Sequence, residues 1–194
     1  MENKTCRIAE KPEDRLSSSP HSALYSPYRT NDITKAIGQT PLVSLQKYPN
    51  IFVKLEGFNA FGSVKARVAW AMISAAEKAG ILRPHSGQTI LEASGGSTGW
   101  ALCAIASLRG YSFMCVLPDN YSKERIHKLK AFGAKVQLSD HTKGNDSHFI
   151  LARKLEKENP SFYYIDQLSN PANPKIHYQT TGLEILNELD KVDY

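Results

Sequence analysis

The chain has 194 residues, 41% of them hydrophobic and 22% charged, an ordinary globular composition and a length for one domain or slightly more. A core of this size stabilises itself without metals or disulfides. The net charge of +5 arises from bases interspersed with acids, as in Lys154-Leu155-Glu156-Lys157-Glu158, which reads as a solvated surface and excludes a nucleic-acid-binding run.

Residues 1–33 read as a disordered extension. Ser17-Ser18-Ser19-Pro20 and Ser26-Pro27 are linker composition with little apolar surface to bury. Cys6 and His21 within it read as a free thiol and an exposed imidazole rather than ligands. The N-terminus lacks the apolar run of a signal peptide, and no stretch is long enough to span a bilayer, so no membrane association and a cytoplasmic location are expected.

Ile51 to Leu55 reads as a short strand. Val64 to Ala79 carries Val64, Val68, Met72, Ala75, Ala76 and Ala79 on one helical face, with Gly80 as the stop. A strand from Gln88 to Glu92 runs into the loop Ala93-Ser94-Gly95-Gly96-Ser97-Thr98-Gly99, followed by a buried helix from Trp100 to Arg109 that ends at Gly110. Tyr111 to Leu117 is the most apolar strand, and Pro118-Asp119-Asn120 turns into a helix from Ser122 to Phe132, stopped by Gly133. The pattern continues with a strand at Ala134–Leu138, a helix at Asn145–Glu158, a strand at Phe162–Ile165 and a last helix from Pro174 to Leu189. Strands alternating with helices of this length predict parallel βαβ units in a three-layer α/β domain. Cys103 and Cys115 fall in apolar segments and read as core; without a CxxC pair no metal site is expected.

Two segments carry chemistry. The loop Ser94 to Gly99 follows a strand and opens a helix, so its amides and the helix dipole favour an anion, and its glycines permit close backbone approach. It has neither the GxGxxG spacing of a dinucleotide site nor the ending of a P-loop. Lys65 lies just inside a predicted helix N-terminus beside Val64, Val68 and Ala69. Desolvation and the dipole both act to lower the pKa of such an amine from ~10.4, as imine formation requires. A snorkelling surface lysine is the alternative reading of the same residue.

Five segments in order resemble the cysteine synthase and cystathionine β-synthase family, whose fold is that of tryptophan synthase β-like pyridoxal-phosphate enzymes. Ile37-Gly38-Gln39-Thr40-Pro41-Leu42-Val43 resembles IGxTPLV, and Ile51-Phe52-Val53-Lys54-Leu55-Glu56 resembles the strand before the family's lysine. Asn59 to Arg67 is similar to NPxGSVKDR, and Ser94 to Gly99 to TSGNTG. Gln167 to Pro174, with His177 and Thr180 to Glu184, is similar to QFxNPANPxxHxxTTGPE.

The resemblance implies pyridoxal 5'-phosphate as cofactor, held covalently by Lys65, whose amine then serves as general base toward an amino-acid substrate. It places Ser94, Gly95 and Thr98 at the substrate carboxylate, Gln167 against the substrate, and Ser97 where an asparagine meets the cofactor's ring oxygen. The implied reaction is β-elimination and β-replacement on an O-activated serine, as in cysteine biosynthesis; the alternative is a truncated, inactive relative acting as a binding module or non-functional fragment. Ala60-Phe61 in place of Pro-Gly, Ala66 in place of aspartate, and Ser97 depart from the pattern, and they leave related β-replacements, as in cystathionine or diaminopropionate synthesis, open. Family members continue past the position of Tyr194 into a glycine-rich phosphate loop, so the sequence is read as C-terminally truncated. By the same resemblance residues 59–169 form a small domain, and residues 34–58 and 170–194 are fragments of a large one. A homodimer or a completing polypeptide is the expected partner.

Overall fold

The computed structural model describes residues 30–193, and the secondary structure of these residues lies in the compact unit that begins at Asp32. The extension predicted over residues 1–33 falls almost wholly outside the described residues. At its centre is a four-stranded parallel sheet in the order β5-β4-β3-β6, built from β3 (Thr89–Glu92), β4 (Ser112–Pro118), β5 (Lys135–Ser139) and β6 (Phe162–Tyr164). Leu91 lies beside Met114 on one side and Tyr164 on the other, and every residue of β3 is buried. A central parallel strand is covered on both faces, which is why burial here does not alternate and extends to its polar ends, Thr89 and Glu92.

Helices α1 (Lys65–Lys78), α2 (Ser97–Leu108) and α3 (Lys123–Ala131) contribute to the core on one face, where Val68, Met72, Leu102, Ile105 and Leu129 meet Ile90 and Phe113. Helix α4 (Ser147–Glu158) covers the other face through Ala152, packed with Leu91, Val116 and Tyr164. The result is the three-layer α/β arrangement predicted, with the carboxyl ends of all four strands at one edge. In open α/β sheets that edge is where ligands sit.

Three local expectations are corrected. The first strand, read as Ile51 to Leu55, is one arm of a hairpin and starts earlier, at Tyr48. Residues β1 (Leu42–Leu45) and β2 (Tyr48–Lys54) form an antiparallel hairpin with Val43 opposite Val53, because the two-residue turn Gln46-Lys47 leaves no room for a crossover. Helix α2 begins at Ser97, not Trp100; Gly96 in extended conformation caps it, so three residues of the predicted loop form its first turn. The last helix is broken into α5 (Ala172–Ile176), a π turn at His177–Thr181 and α6 (Gly182–Glu188). There the Thr180 hydroxyl donates to the Ile176 carbonyl at 2.7 Å, competing with the backbone for that acceptor and widening the turn.

Candidate active site

Four separate interactions fix the loop between β3 and α2. The Ala93 amide donates to Glu92 Oε1 at 3.0 Å, and the Cys115 thiol donates to the Ser94 carbonyl at 2.9 Å. Burial pushes that thiol up to about 12, so Cys115 stays a neutral donor. Gly95 lies against Tyr121 and Leu117 so closely that a Cβ would fall within 2.8 Å of both, and a Cβ on Gly99 would fall 1.9 Å from the Ser94 oxygen. Thr98 is buried and Ser97 is exposed, at a helix start that no side chain caps. The first amides of α2 are therefore without a side-chain cap, as donors for a ligand.

Lys65 is the first residue of α1, half-buried. Its amide is met by Ser63 Oγ at 3.2 Å, which starts the helix and sets where the side chain leaves it. Among the described residues, no hydrogen bond or ion pair engages Lys65 Nζ. The cation has the positive end of its own helix dipole beside it and no carboxylate to offset that. It lies within electrostatic reach of His177, whose pKa is held below the usual imidazole value by burial first and by the charges of Lys65 and Arg67 next. The imidazole Nδ1 is 3.0 Å from Thr181 Oγ1.

The turn leading into Lys65 is unusual for a bulky residue. Phe61 holds φ +70°, followed by Gly62 at φ +74°. Phe61 accepts a left-handed conformation that costs roughly 1–2 kcal/mol for a residue with a Cβ, and its ring packs on the core cluster as the offsetting gain. A cleft of about 320 Å³ separates this turn from the other loop; Phe61 and Ser63 line one side, Gly95 and Ser97 the other. The loops before Lys65 and around Ser94–Gly99 thus come together at the carboxyl edge of the sheet.

Gln167 follows β6 at that same edge. Its amide donates to Glu92 Oε2 at 3.1 Å and its carbonyl accepts from Asn173 Nδ2 at 2.9 Å. Sequence reasoning missed Glu92. It is fully buried at the end of β3, and among the described residues no ion pair involves it. Burial pushes its carboxyl up, the Gln167 and Ala93 amides pull it down, and the balance stands at about 7. With a folded pKa above the unfolded value near 4.5, the folded state binds the extra proton between the two. Stability from this group is therefore present below about pH 4.5 and lost as pH rises through about 7. Chemical denaturation at pH 5 and pH 8 is expected to show Glu92→Gln gaining up to about 3 kcal/mol relative to wild type over that range. A constant difference between the two proteins across the range would contradict it.

Behind Lys65, two residues on, Arg67 is only 1% exposed and was not singled out by sequence either. Its guanidinium reaches Glu56 through Nε and Nη2, each at 2.8 Å, and Glu184 through Nη1 and Nη2. Thr40 and Thr180 complete its partners. Glu184 also accepts from the Gln39 amide and pairs with Lys54 at 3.1 Å. Hydrogen bonds from Arg67 hold Glu184 down at about 2. One buried cation thereby ties α1 to segment 38–40, to Glu56 and to α6.

The described chain resembles known proteins in sequence and structure. Residues 33–194 match the family model described as pyridoxal-phosphate dependent enzyme. The chain is 42% identical over 176 residues to cystathionine beta-synthase of Apis mellifera, covering 84% of this chain and 34% of that protein. It is 42% identical over 160 residues to cysteine synthase B of Salmonella typhimurium, covering 80% of this chain and 52% of that one. Among solved structures, O-ureido-L-serine synthase superposes with a TM-score of 0.76 at 39% identity, covering 83% of this chain and 51% of its own. A hydrogen sulfide-producing enzyme from Fusobacterium nucleatum gives 0.76 at 37% identity, covering 86% and 55%. The chain thus spans about a third to about half the length of these relatives. With a matching family model over most of its length and relatives in both sequence and fold, the chain belongs to the family of pyridoxal-phosphate dependent enzymes.

Proposed function

We propose that this chain carries the amine and the carboxylate grip of a cytoplasmic, pyridoxal-phosphate-dependent enzyme that eliminates and replaces the β-substituent of an O-activated serine, as in cysteine biosynthesis. The observation that carries the reading is Lys65, a half-buried residue whose Nζ has no hydrogen bond or ion pair among the described residues, directly after the Phe61–Ser63 turn that faces the Gly95–Ser97 loop across a cleft. The cofactor, when bound, supplies the electron sink that stabilises charge at the substrate's α-carbon. Lys65 Nζ would hold it and, when free, would take the substrate's α-proton as general base. Ser94, Gly95 and Thr98 bind the substrate carboxylate, helped by the free amides of α2. Gln167 orients the substrate from the opposite arm, and Ser97 donates to the cofactor's ring oxygen. The donor set fits an amine-linked ligand bearing a carboxylate: a free amine, an uncapped helix start and an exposed hydroxyl.

On this reading residues 59–169 form the smaller domain of such an enzyme, and residues 34–58 and 170–194 belong to its larger one. Support comes from the open apolar side of those segments. Val43, Ile51, Phe52 and Leu186 are exposed, and a hollow of about 760 Å³ lies between β2 and the end of α6, with Ile185 and Leu189 in its wall. Faces of this kind are covered by further sequence of that domain, by a completing polypeptide or by a second copy. Among the described residues no helix is long and apolar enough to cross a membrane.

The test is spectroscopic. The purified chain mixed with pyridoxal phosphate is expected to develop a visible absorbance band that the free cofactor lacks, and Lys65→Ala to lose it entirely. Identical spectra from the two proteins would remove Lys65 from the proposed role.

A further inference from the structure

We infer that Glu92 is a positioning residue that fastens the substrate-carboxylate loop to the Gln167 segment, setting both arms of the grip with one carboxylate. The inference rests on the proposed function for the meaning of the two arms, but not for the fastening itself. Glu92 ends the central strand, in register with Cys115 of β4. One of its oxygens accepts the amide of the next residue, Ala93, and the other accepts the amide of Gln167, 75 positions along the chain. Both bonds leave the carboxylate toward segments named above as substrate-binding, and neither is made to a cation.

The chemistry of the side chain is specific to this task. An ionised carboxylate is acceptor-only at both oxygens, so it satisfies two N–H groups that arrive from different elements. Glutamine has one acceptor oxygen and would set its own NH2 against the second amide. Aspartate keeps the charge but lacks the reach of one methylene. If the strand end needed only filling, an apolar side chain would serve at lower cost, because a buried carboxylate without a counter-ion is unfavourable. The groups that face Glu92 confirm that it is not held by charge. Cys115 comes from β4, Tyr164 from β6 and Asp166 from the loop after it, and Arg153 of α4 is engaged with Asp166 at 3.5 Å.

Protonation bears on the same geometry. A neutral carboxyl presents an O–H where the second amide needs an acceptor, and the Glu92 carboxyl changes form at about 7. In the wild type the coupling is therefore tighter above that pH than below it.

The experiment is amide hydrogen exchange on the full chain without cofactor, from pH 6 to pH 8, for wild type, Glu92→Gln and Glu92→Asp. Protection at Ala93 and Gln167, corrected for intrinsic rates and taken relative to the β4 amides from Cys115 to Leu117, is expected to rise together with pH in the wild type. In Glu92→Gln at least one of these amides loses protection about tenfold or more, the pH response disappears, and β4 amides from Cys115 to Leu117 stay protected as before. Glu92→Asp is expected to restore neither. Unchanged protection at both amides in Glu92→Gln would overturn the inference, and so would a uniform loss across the sheet, which marks a structural role only. A second arm uses chain loaded with pyridoxal phosphate and L-serine as probe. There Glu92→Gln is expected to weaken L-serine binding about tenfold with the visible absorbance intact; unchanged binding would overturn the link to the grip. Absence of that absorbance in wild type overturns the proposed function alone and leaves the exchange result to decide the fastening.

Discussion

Replacing Arg67 with methionine is expected to destabilise the chain by about 3–5 kcal/mol, the range for removing one partner of a buried ion pair. The guanidinium is the shared cation of two carboxylates, Glu56 and Glu184, each held through both oxygens. Methionine fills much of the volume, so the cost is not a cavity. It comes from two carboxylates left facing each other, with only Lys54 still paired to Glu184. That interpretation has its own control. Adding Glu56→Gln and Glu184→Gln to Arg67→Met is expected to recover much of the loss, because the residual charge is then gone. Denaturant titration of the single and triple variants measures both quantities. A single variant within about 1 kcal/mol of wild type would show the network to be dispensable.

The same network predicts the acid limb of stability. Glu184 has a folded pKa of about 2 against an ordinary 4.5, so its contribution is fully present above 4.5 and is lost as pH falls through about 2. Arg67→Met is expected to flatten the wild-type decline over that interval. This matters for the site because Arg67 stands two residues from Lys65 on α1. The helix that presents the amine is thereby anchored at its first turn to the chain segments before and after the central sheet.

Much of this was legible in the sequence, and the reasons differ from element to element. Strands β3 to β6 and helices α1 to α4 were readable because their apolar periodicity is strong and three helices stop at glycines, of which Gly80 and Gly133 hold φ +73° and +88°. The pairing of β1 with β2 was not readable, since Gln46-Lys47 lacks the glycine or asparagine that signals a tight hairpin. The π turn depends on the Thr180 hydroxyl, which also accepts from Arg67 more than a hundred residues away, and no local pattern carries that. Lys65 and the Ser94–Gly99 loop were found by motif and are brought to one edge of the sheet. Gln167 is brought there as well, yet Glu92, which joins it to the loop, looks in sequence like any acid at a strand end. Arg67 offered one local clue: a second charge, two residues after Lys65, among Val64, Ala66, Val68 and Ala69.

Gly99→Ala is expected to lower stability by about 3 kcal/mol, the upper range for overpacking a filled core, and to weaken amino-acid binding to the cofactor-loaded chain about a hundredfold. Gly99 is buried in the first turn of α2, where an added Cβ would stand 1.9 Å from the Ser94 oxygen and 2.9 Å from its carbonyl carbon. Real contacts of that kind do not exist, so either the helix or the loop must give way. The loop is the less free of the two. The Cys115 thiol holds the Ser94 carbonyl from below, and Glu92 holds the Ala93 amide beside it. Relief therefore falls on the first turn of α2 and shifts the helix-start amides away from the Ser94 hydroxyl, opening the proposed grip on the carboxylate. Gly96→Ala provides the contrast, because Gly96 sits at negative φ with nothing within 4 Å of an added Cβ. It is expected to change stability by no more than about 1 kcal/mol, the ordinary scale of a change at an N-cap, where glycine is preferred to alanine. Calorimetric titration with L-serine and denaturant unfolding of the two variants separate the cases. Equal behaviour of Gly96→Ala and Gly99→Ala would mean that close packing of the loop on α2 does not set the site.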